Sequence, residues 1–129
     1  MTDDEEEYRP SWYPYDGGLT IGASGPEGGV TLRDEEFGDP EDDEDSDARL
    51  TLEQGRASDP GFSLTATLYG WIFHTHRAID EADALVKYDA MKSELTRLAG
   101  MLPYEESWDI PGRVRDLSKE IATFEQQYP

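Results

Sequence analysis

The sequence predicts an α+β fold: an antiparallel sheet of four or five strands, followed by two C-terminal helices packed on one face of the sheet. Two patterns along the chain support this prediction. Up to residue 77, short segments alternate apolar and polar residues, as half-buried strands do. From Asp80 onward, apolar residues recur every three or four positions, as they do in amphipathic helices. The length of 129 residues suits a single domain.

The beginning of the chain predicts an acidic flexible tail over residues 1–7, because "TDDEEE" is too highly charged to pack. Residues 8–129 then form the single α+β domain. The segment "YRPSWYPYDGG" places four aromatic residues among prolines, which is unusual for a disordered arm. We expect these aromatics to fold back onto the domain, and the alternative is an exposed aromatic docking strip.

Alternation and turn residues predict five strands. They cover residues 18–24, 30–34, 48–53, 62–68 and 71–77. The first two strands form a hairpin around "GPEGG", whose glycines and proline are typical of a turn. This loop does not indicate a phosphate site, because it leads into a strand and not into a helix. Gly70 separates the last two strands, and we expect a hairpin there rather than one bulged strand.

Two helices follow. Asp80 is the predicted N-cap of the first, which ends near Gly100 and Pro103, and the second begins at Pro111. Each helix carries an apolar stripe: Ala84, Tyr88, Met91, Leu95, Leu98 and Leu102 in the first, and Ile110, Val114, Leu117, Ile121, Phe124 and Tyr128 in the second. The stripes can pack against each other or on the sheet. Either stripe could instead form a homodimer interface.

The net charge of −19 is concentrated in the first half of the chain, where residues 1–60 carry 19 acids and 4 bases. Such a field repels nucleic acid and anionic membranes, and it attracts basic proteins. The acids are densest in a predicted solvated loop at 34–47. If a basic protein partner binds this surface, the steering charges are Asp42, Asp43, Glu44, Asp45 and Asp47.

The acidity could also arise without any partner. The 3 lysines and 8 arginines fit a high-salt cytoplasm or a GC-rich genome, and an acidic loop also aids solubility. A calcium loop of the EF-hand type beginning at Asp43 is not indicated. Ala48 stands where the loop needs glycine, and Gln54 stands where it needs glutamate.

The two histidines of the chain, His74 and His76, offer a different function. One residue separates them on a predicted strand, so both imidazoles point to one face and could share a metal ion. A third ligand would come from Asp80 or Asp83. The opposite, buried face would then hold Trp71 and Phe73. The alternative is that both histidines lie on the solvated face of the sheet, with no cofactor bound.

Composition restricts the remaining classes. The chain has no cysteine, which excludes disulfides and thiolate metal sites. The longest uncharged run, residues 60–76, is too polar to span a bilayer, and the acidic N-terminal sequence is unlike a secretory signal. We therefore expect a cytoplasmic protein. No spacing of nucleophile, base and acid indicates a catalytic site.

The motifs "YGWIFHT" (residues 69–75) and "YDAMKSEL" (residues 88–95) resemble a group of small bacterial proteins with a Y-G-W-x-x-H-T strand and a Y-x-x-M-K-x-E-L helix. The resemblance covers residues 50–102, and it implies no activity, because the group has none established. In style the chain is also similar to acidic immunity proteins, which neutralise toxins. The sequence thus favours a non-enzymatic acidic protein that binds a basic protein. The alternative is a small metal-binding protein or metal-dependent enzyme using His74 and His76.

Overall fold

The computed structural model describes residues 10–41, 46–103 and 109–129. It contains one five-stranded antiparallel sheet, in which each strand pairs with its neighbours along the chain, followed by two helices. The elements are β1 (Ser11–Pro14), β2 (Val30–Gly38), β3 (Ala48–Gln54), β4 (Phe62–Leu68), β5 (Ile72–Ala78), α1 (Glu81–Ala99) and α2 (Ile110–Gln127). The predicted α+β fold is confirmed.

The core lies between the helices and one face of the sheet, which we call the inner face. The alternating residues of β3 and β4 point into it, and Leu50, Leu52 and Leu64 are fully buried there. Burial of a leucine side chain contributes roughly 1.5–3 kcal/mol. α1 lies over the centre of the sheet, where it contacts β3 and β4.

The helix stripes are used inside the chain. All six predicted stripe residues of α1 are buried, and Leu117, Phe124 and Tyr128 of the second stripe are buried with them. The Asp80 side chain accepts a hydrogen bond from the main-chain N–H of Asp83, as expected of an N-cap. The first stripe therefore packs into the chain's own core, whereas the second is only partly covered and its Ile110 is 39% exposed.

The predicted strand at 18–24 is wrong. Gly18 and Gly22 have positive φ angles of 89° and 87°, which an extended strand does not allow. Leu19 and Ile21, the apolar positions of the predicted alternation, are exposed, and a single isolated bridge joins Ser24 to Val30. The strand that pairs with β2 is instead β1, which follows directly after Pro10.

The predicted acidic loop at 34–47 is wrong in its first part. β2 continues through Gly38, so Asp34, Glu35 and Glu36 are strand residues. Asp34 and Glu36 are buried, because neighbouring side chains donate hydrogen bonds to both carboxylates. The first part of the predicted loop, up to Gly38, therefore belongs to the sheet.

Three predictions fall on residues that the structure does not describe. They are the tail at 1–7, the position of Tyr8, and the steering charges Asp42, Asp43, Glu44 and Asp45. Of the five predicted partner-binding residues, Asp47 is described, and it is half-buried immediately before β3.

Candidate functional site at the hairpin end of the outer face

The second face of the sheet, which we call the outer face, is lined by polar side chains. One cross-strand row on this face runs through Tyr13, Glu36, Arg49, Thr67 and Phe73, one residue from each of the five strands. β2 contributes two acids to this face, Asp34 and Glu36. Asp34 forms an ion pair with Arg49 of β3.

Asp34 and Arg49 form that pair at the centre of the outer face. The guanidinium donates to both carboxylate oxygens, with Nε–Oδ1 at 2.9 Å and Nη2–Oδ2 at 2.7 Å. Thr20 and Thr51 donate their hydroxyls to the same carboxylate. The ring of Tyr15 covers the guanidinium at 3.5 Å from its centroid. The hydrogen bond to Asp34 raises the pKa of Arg49 above its ordinary value.

Glu36 is held by three hydroxyl donors. Tyr69 and Ser46 donate to Oε2 at 2.9 Å and 2.8 Å, and Tyr13 donates to Oε1 at 3.2 Å. Burial and the hydrogen bond to Glu36 raise the pKa of Tyr69 far above its ordinary value, so its hydroxyl remains a donor. The bond to Glu36 and the contact with Arg49 hold Tyr13 and Tyr15, respectively, against the sheet, as the sequence predicted for this aromatic segment.

The described parts of the β2–β3 connection, residues 39–41 and 46–47, lie at the same end of the sheet as the β4–β5 hairpin. The strand register aligns Phe37, Ala48, Leu68 and Ile72 in one row, so the described residues that directly adjoin this row lie close together. The main-chain N–H of Tyr69 donates to the main-chain oxygen of Asp47 at 3.0 Å. We call Asp39, Glu41 and Asp47, together with Tyr69 and Trp71, the acidic–aromatic end.

The aromatic residues of the hairpin are exposed, contrary to the prediction that Trp71 and Phe73 fill a buried face. Tyr69, Trp71 and Phe73 are 41%, 36% and 72% exposed. The reason is the hairpin predicted at Gly70. It turns over residues 69–71, which places Ile72 opposite Leu68 and therefore on the inner face. Side chains two residues apart share a face, so Phe73 points outward.

The same register places His74 and His76 on the inner face, and not on the solvated one. His74 Nε2 hydrogen bonds to the main-chain oxygen of Tyr128, and His76 Nδ1 bonds to that of Pro129 at 2.8 Å. The rings also contact Phe124 and Tyr128 edge-on. The two histidines therefore hold the segment after α2 against the sheet.

A metal site at these histidines gains no support from the geometry. One nitrogen of each ring is bonded to the main chain, and Asp80, a proposed third ligand, caps α1. Within the described ranges, no group of three or more His, Asp or Glu side chains could hold a metal ion. His76 Nε2 is buried and has no hydrogen-bond partner.

Two further acids accept hydrogen bonds outside the acidic–aromatic end. Glu53 is buried, and its carboxylate accepts the main-chain N–H groups of Glu27 and Gly29 in the "GPEGG" turn. On the inner face, Glu35 accepts hydrogen bonds from Tyr88 at 2.6 Å and Lys92 at 2.9 Å. Burial raises the pKa of Glu35, but these two hydrogen bonds and the Lys92 charge outweigh it and hold the pKa below its ordinary value.

The fold and this end define a small acidic α+β protein with an exposed acidic and aromatic surface. We compared the chain with models of protein families, with curated proteins and with solved structures, and none of the three comparisons found a match. None of the helices in the described ranges combines the length and apolar character needed to cross a bilayer.

Sequence reasoning missed the exposed hairpin aromatics. A signal for them was present, because a turn of three residues after Leu68 fixes which of the following residues lie on the apolar face. The burial of Asp34 and Glu36 had no local signal, since their partners come from β1, β3 and the hairpin after β4.

Proposed function

We propose that this is a non-enzymatic protein that binds a basic protein, and that the acidic–aromatic end is the surface that meets the partner. One observation supports the proposal: Asp39, Glu41 and Asp47, which flank the densest run of acids in the sequence, lie at the same end of the sheet as the exposed Tyr69 and Trp71. Exposed aromatic residues are the side chains that most often anchor protein interfaces.

Charge and aromatic residues have different tasks in this proposal. Asp34 and Glu36 are already bonded within the fold, so the acids that steer a partner are those after Gly38. An exposed charge, such as that of Glu41, speeds the encounter with a basic surface. Trp71 then supplies contact area once the partner is in place, and its ring can stack on an arginine or lysine of the partner.

The first experiment is an affinity capture from a lysate of the source organism with three baits. The parent chain is compared with a variant in which Asp42, Asp43, Glu44 and Asp45 become asparagine or glutamine. The matched control changes the same number of exposed helical acids, Glu81, Asp89, Asp116 and Glu125. We expect a basic protein on the parent and control baits and not on the loop variant.

The captured protein is then purified and its binding kinetics are measured. Neutralising the loop should lower the association rate and its salt dependence, because steering acts on encounter. Trp71→Ala should mainly raise the dissociation rate, because it removes contact area from the formed complex. Equal capture by all baits, or an association rate that neither the loop charges nor salt affects, would contradict the proposal.

A further inference from the structure

The sheet has two edge strands, β1 and β5. An edge strand carries unpaired N–H and C=O groups that can pair with another chain, unless the strand is short or contains proline or charged residues. β1 is protected from such pairing. It is only 4 residues long, and Pro10 and Pro14 stand immediately before it and at its end, where they have no N–H to donate.

β5 has neither the short length nor the prolines that protect β1. Its 7 residues, Ile72–Ala78, include no proline, glycine, lysine, aspartate or glutamate. Among the residues that the structure describes, only β4 pairs with its main chain. The segment after α2 does not occupy the edge, because Tyr128 and Pro129 contact the rings of His74 and His76, which project from the inner face.

The sequence of β5 is complementary to itself. When two copies pair antiparallel over all 7 residues, Thr75 lies opposite Thr75 of the second copy, on the two-fold axis. The same register places the exposed ring of Phe73 opposite Arg77 of the second copy. Cross-strand pairs of this kind can bring the face of a guanidinium against an aromatic ring, while the Arg77 N–H groups keep their bonds to Asp59 and Ser63 of their own chain. The register sets no acid of β5 against another, because the strand has none.

We propose that the free edge of β5 pairs with the same edge of a second copy, so that the two sheets join into one continuous sheet in a homodimer. A second copy fits this edge better than a segment of a basic protein does, because the strand has no acid to attract a base and its Arg77 is already paired with Asp59. The acidic–aromatic end of each copy stays outside the pairing, so the dimer would present two such surfaces.

Salt dependence separates this proposal from the proposed function. Each copy carries a net charge of −19, so the two copies repel each other beyond the strand contact. Added salt screens this repulsion and should strengthen the dimer. Added salt should instead weaken the binding of a basic protein, because that attraction is screened too. Either proposal can therefore fail while the other stands.

The first test is the mass of the parent chain by sedimentation equilibrium over a wide range of protein concentration and at two salt concentrations. The monomer mass is 14.5 kDa, and we expect twice that mass at high concentration, with more dimer at the higher salt. A chain that remains monomeric at every concentration and at both salt concentrations overturns the proposal.

The second test uses the absence of cysteine from the native chain. Thr75→Cys introduces one thiol on the two-fold axis, with a side chain close in size to threonine. Opposite residues of an antiparallel pair have Cα atoms about 4.5–5.5 Å apart, which is within the range that a disulfide spans. We expect rapid disulfide-linked dimers under mild oxidation. Val86→Cys, at an α1 position that is 69% exposed, is the control and should cross-link slowly.

A charge exchange tests the register. Thr75→Asp and Thr75→Lys each place like charges across the axis, so each variant alone should be monomeric. An equimolar mixture should form mixed dimers, which native mass spectrometry distinguishes from the two homodimers. Far-ultraviolet circular dichroism confirms that both variants are folded. Equal cross-linking of Thr75→Cys and Val86→Cys, or a mixture that stays monomeric, overturns the pairing through β5.

Discussion

Replacing Asp34 with asparagine tests whether a bonded network holds the acids of β2 inside the fold. The Asp34 side chain is 1% exposed. Its two oxygens accept from Thr20, from Thr51 and twice from Arg49. Every group that faces the carboxylate is a donor. The amide NH₂ of asparagine would therefore face a donor in either orientation, and the charge on Arg49 would lose its partner.

The expected loss of stability in Asp34→Asn can be estimated from two general magnitudes. A hydrogen bond to a charged group contributes about 1.5–3 kcal/mol, and removing one member of a fully buried ion pair costs about 3–5 kcal/mol. Arg49 keeps 27% of its side chain in water, so solvent recovers part of that cost. We expect Asp34→Asn to lower the free energy of unfolding by about 2–3 kcal/mol.

Urea denaturation at neutral pH, followed by tryptophan fluorescence, measures this loss. The control is Asp59→Asn, because Asp59 forms an ion pair with Arg77 in which both side chains are exposed. Pairs of that kind contribute less than about 1 kcal/mol. If Asp34→Asn and Asp59→Asn lowered the free energy of unfolding by the same small amount, the network around Arg49 would not be what stabilises the buried acid.

Three other changes give expected outcomes. Glu53→Gln should lower the free energy of unfolding by about 1–3 kcal/mol, because an amide NH₂ would face the N–H groups of the turn; no change would mean that the carboxylate is dispensable there. The lowered pKa of Glu35 adds stability above its unfolded value of about 4.3, and this is lost as pH falls through the folded value. The parent should therefore have a higher free energy of unfolding than Glu35→Gln at neutral pH, and this difference should disappear in acid. A difference that does not depend on pH would contradict this. His74→Ala should speed hydrogen exchange at the end of α2, but not in α1, because it removes the bond to Tyr128.

The elements that the sequence predicted well depend on local patterns. The alternation in β3 and β4 and the three-and-four spacing in α1 and α2 each fix a buried face without help from distant residues. β1 was missed because Pro10 and Pro14 argue against a strand, although an edge strand tolerates proline at its ends. Segment 18–24 alternates like a strand, but its glycines take positive φ angles to form turns.

The candidate site was harder to predict because it depends on contacts across the sheet. Ten acids in residues 34–47 indicated a solvated loop, and nothing local showed that Arg49 and Tyr69 lie beside those in β2. The exposure of Trp71 depended on the length of the turn at Gly70. A change of one residue in that turn would have exchanged the two faces of β5.

The contact between Glu53 and the "GPEGG" turn also affects whether the N–H groups of that turn can bind anions from solution. Main-chain N–H groups of Glu27 and Gly29 point at one position, an arrangement that binds phosphate and sulfate in other proteins. Here the anion belongs to the same chain, so its effective concentration at the turn is far above that of a buffer ion. We therefore expect phosphate and sulfate at ordinary concentrations not to displace the Glu53 carboxylate. On this expectation, the N–H groups of the turn do not respond to the anions of the surrounding solution.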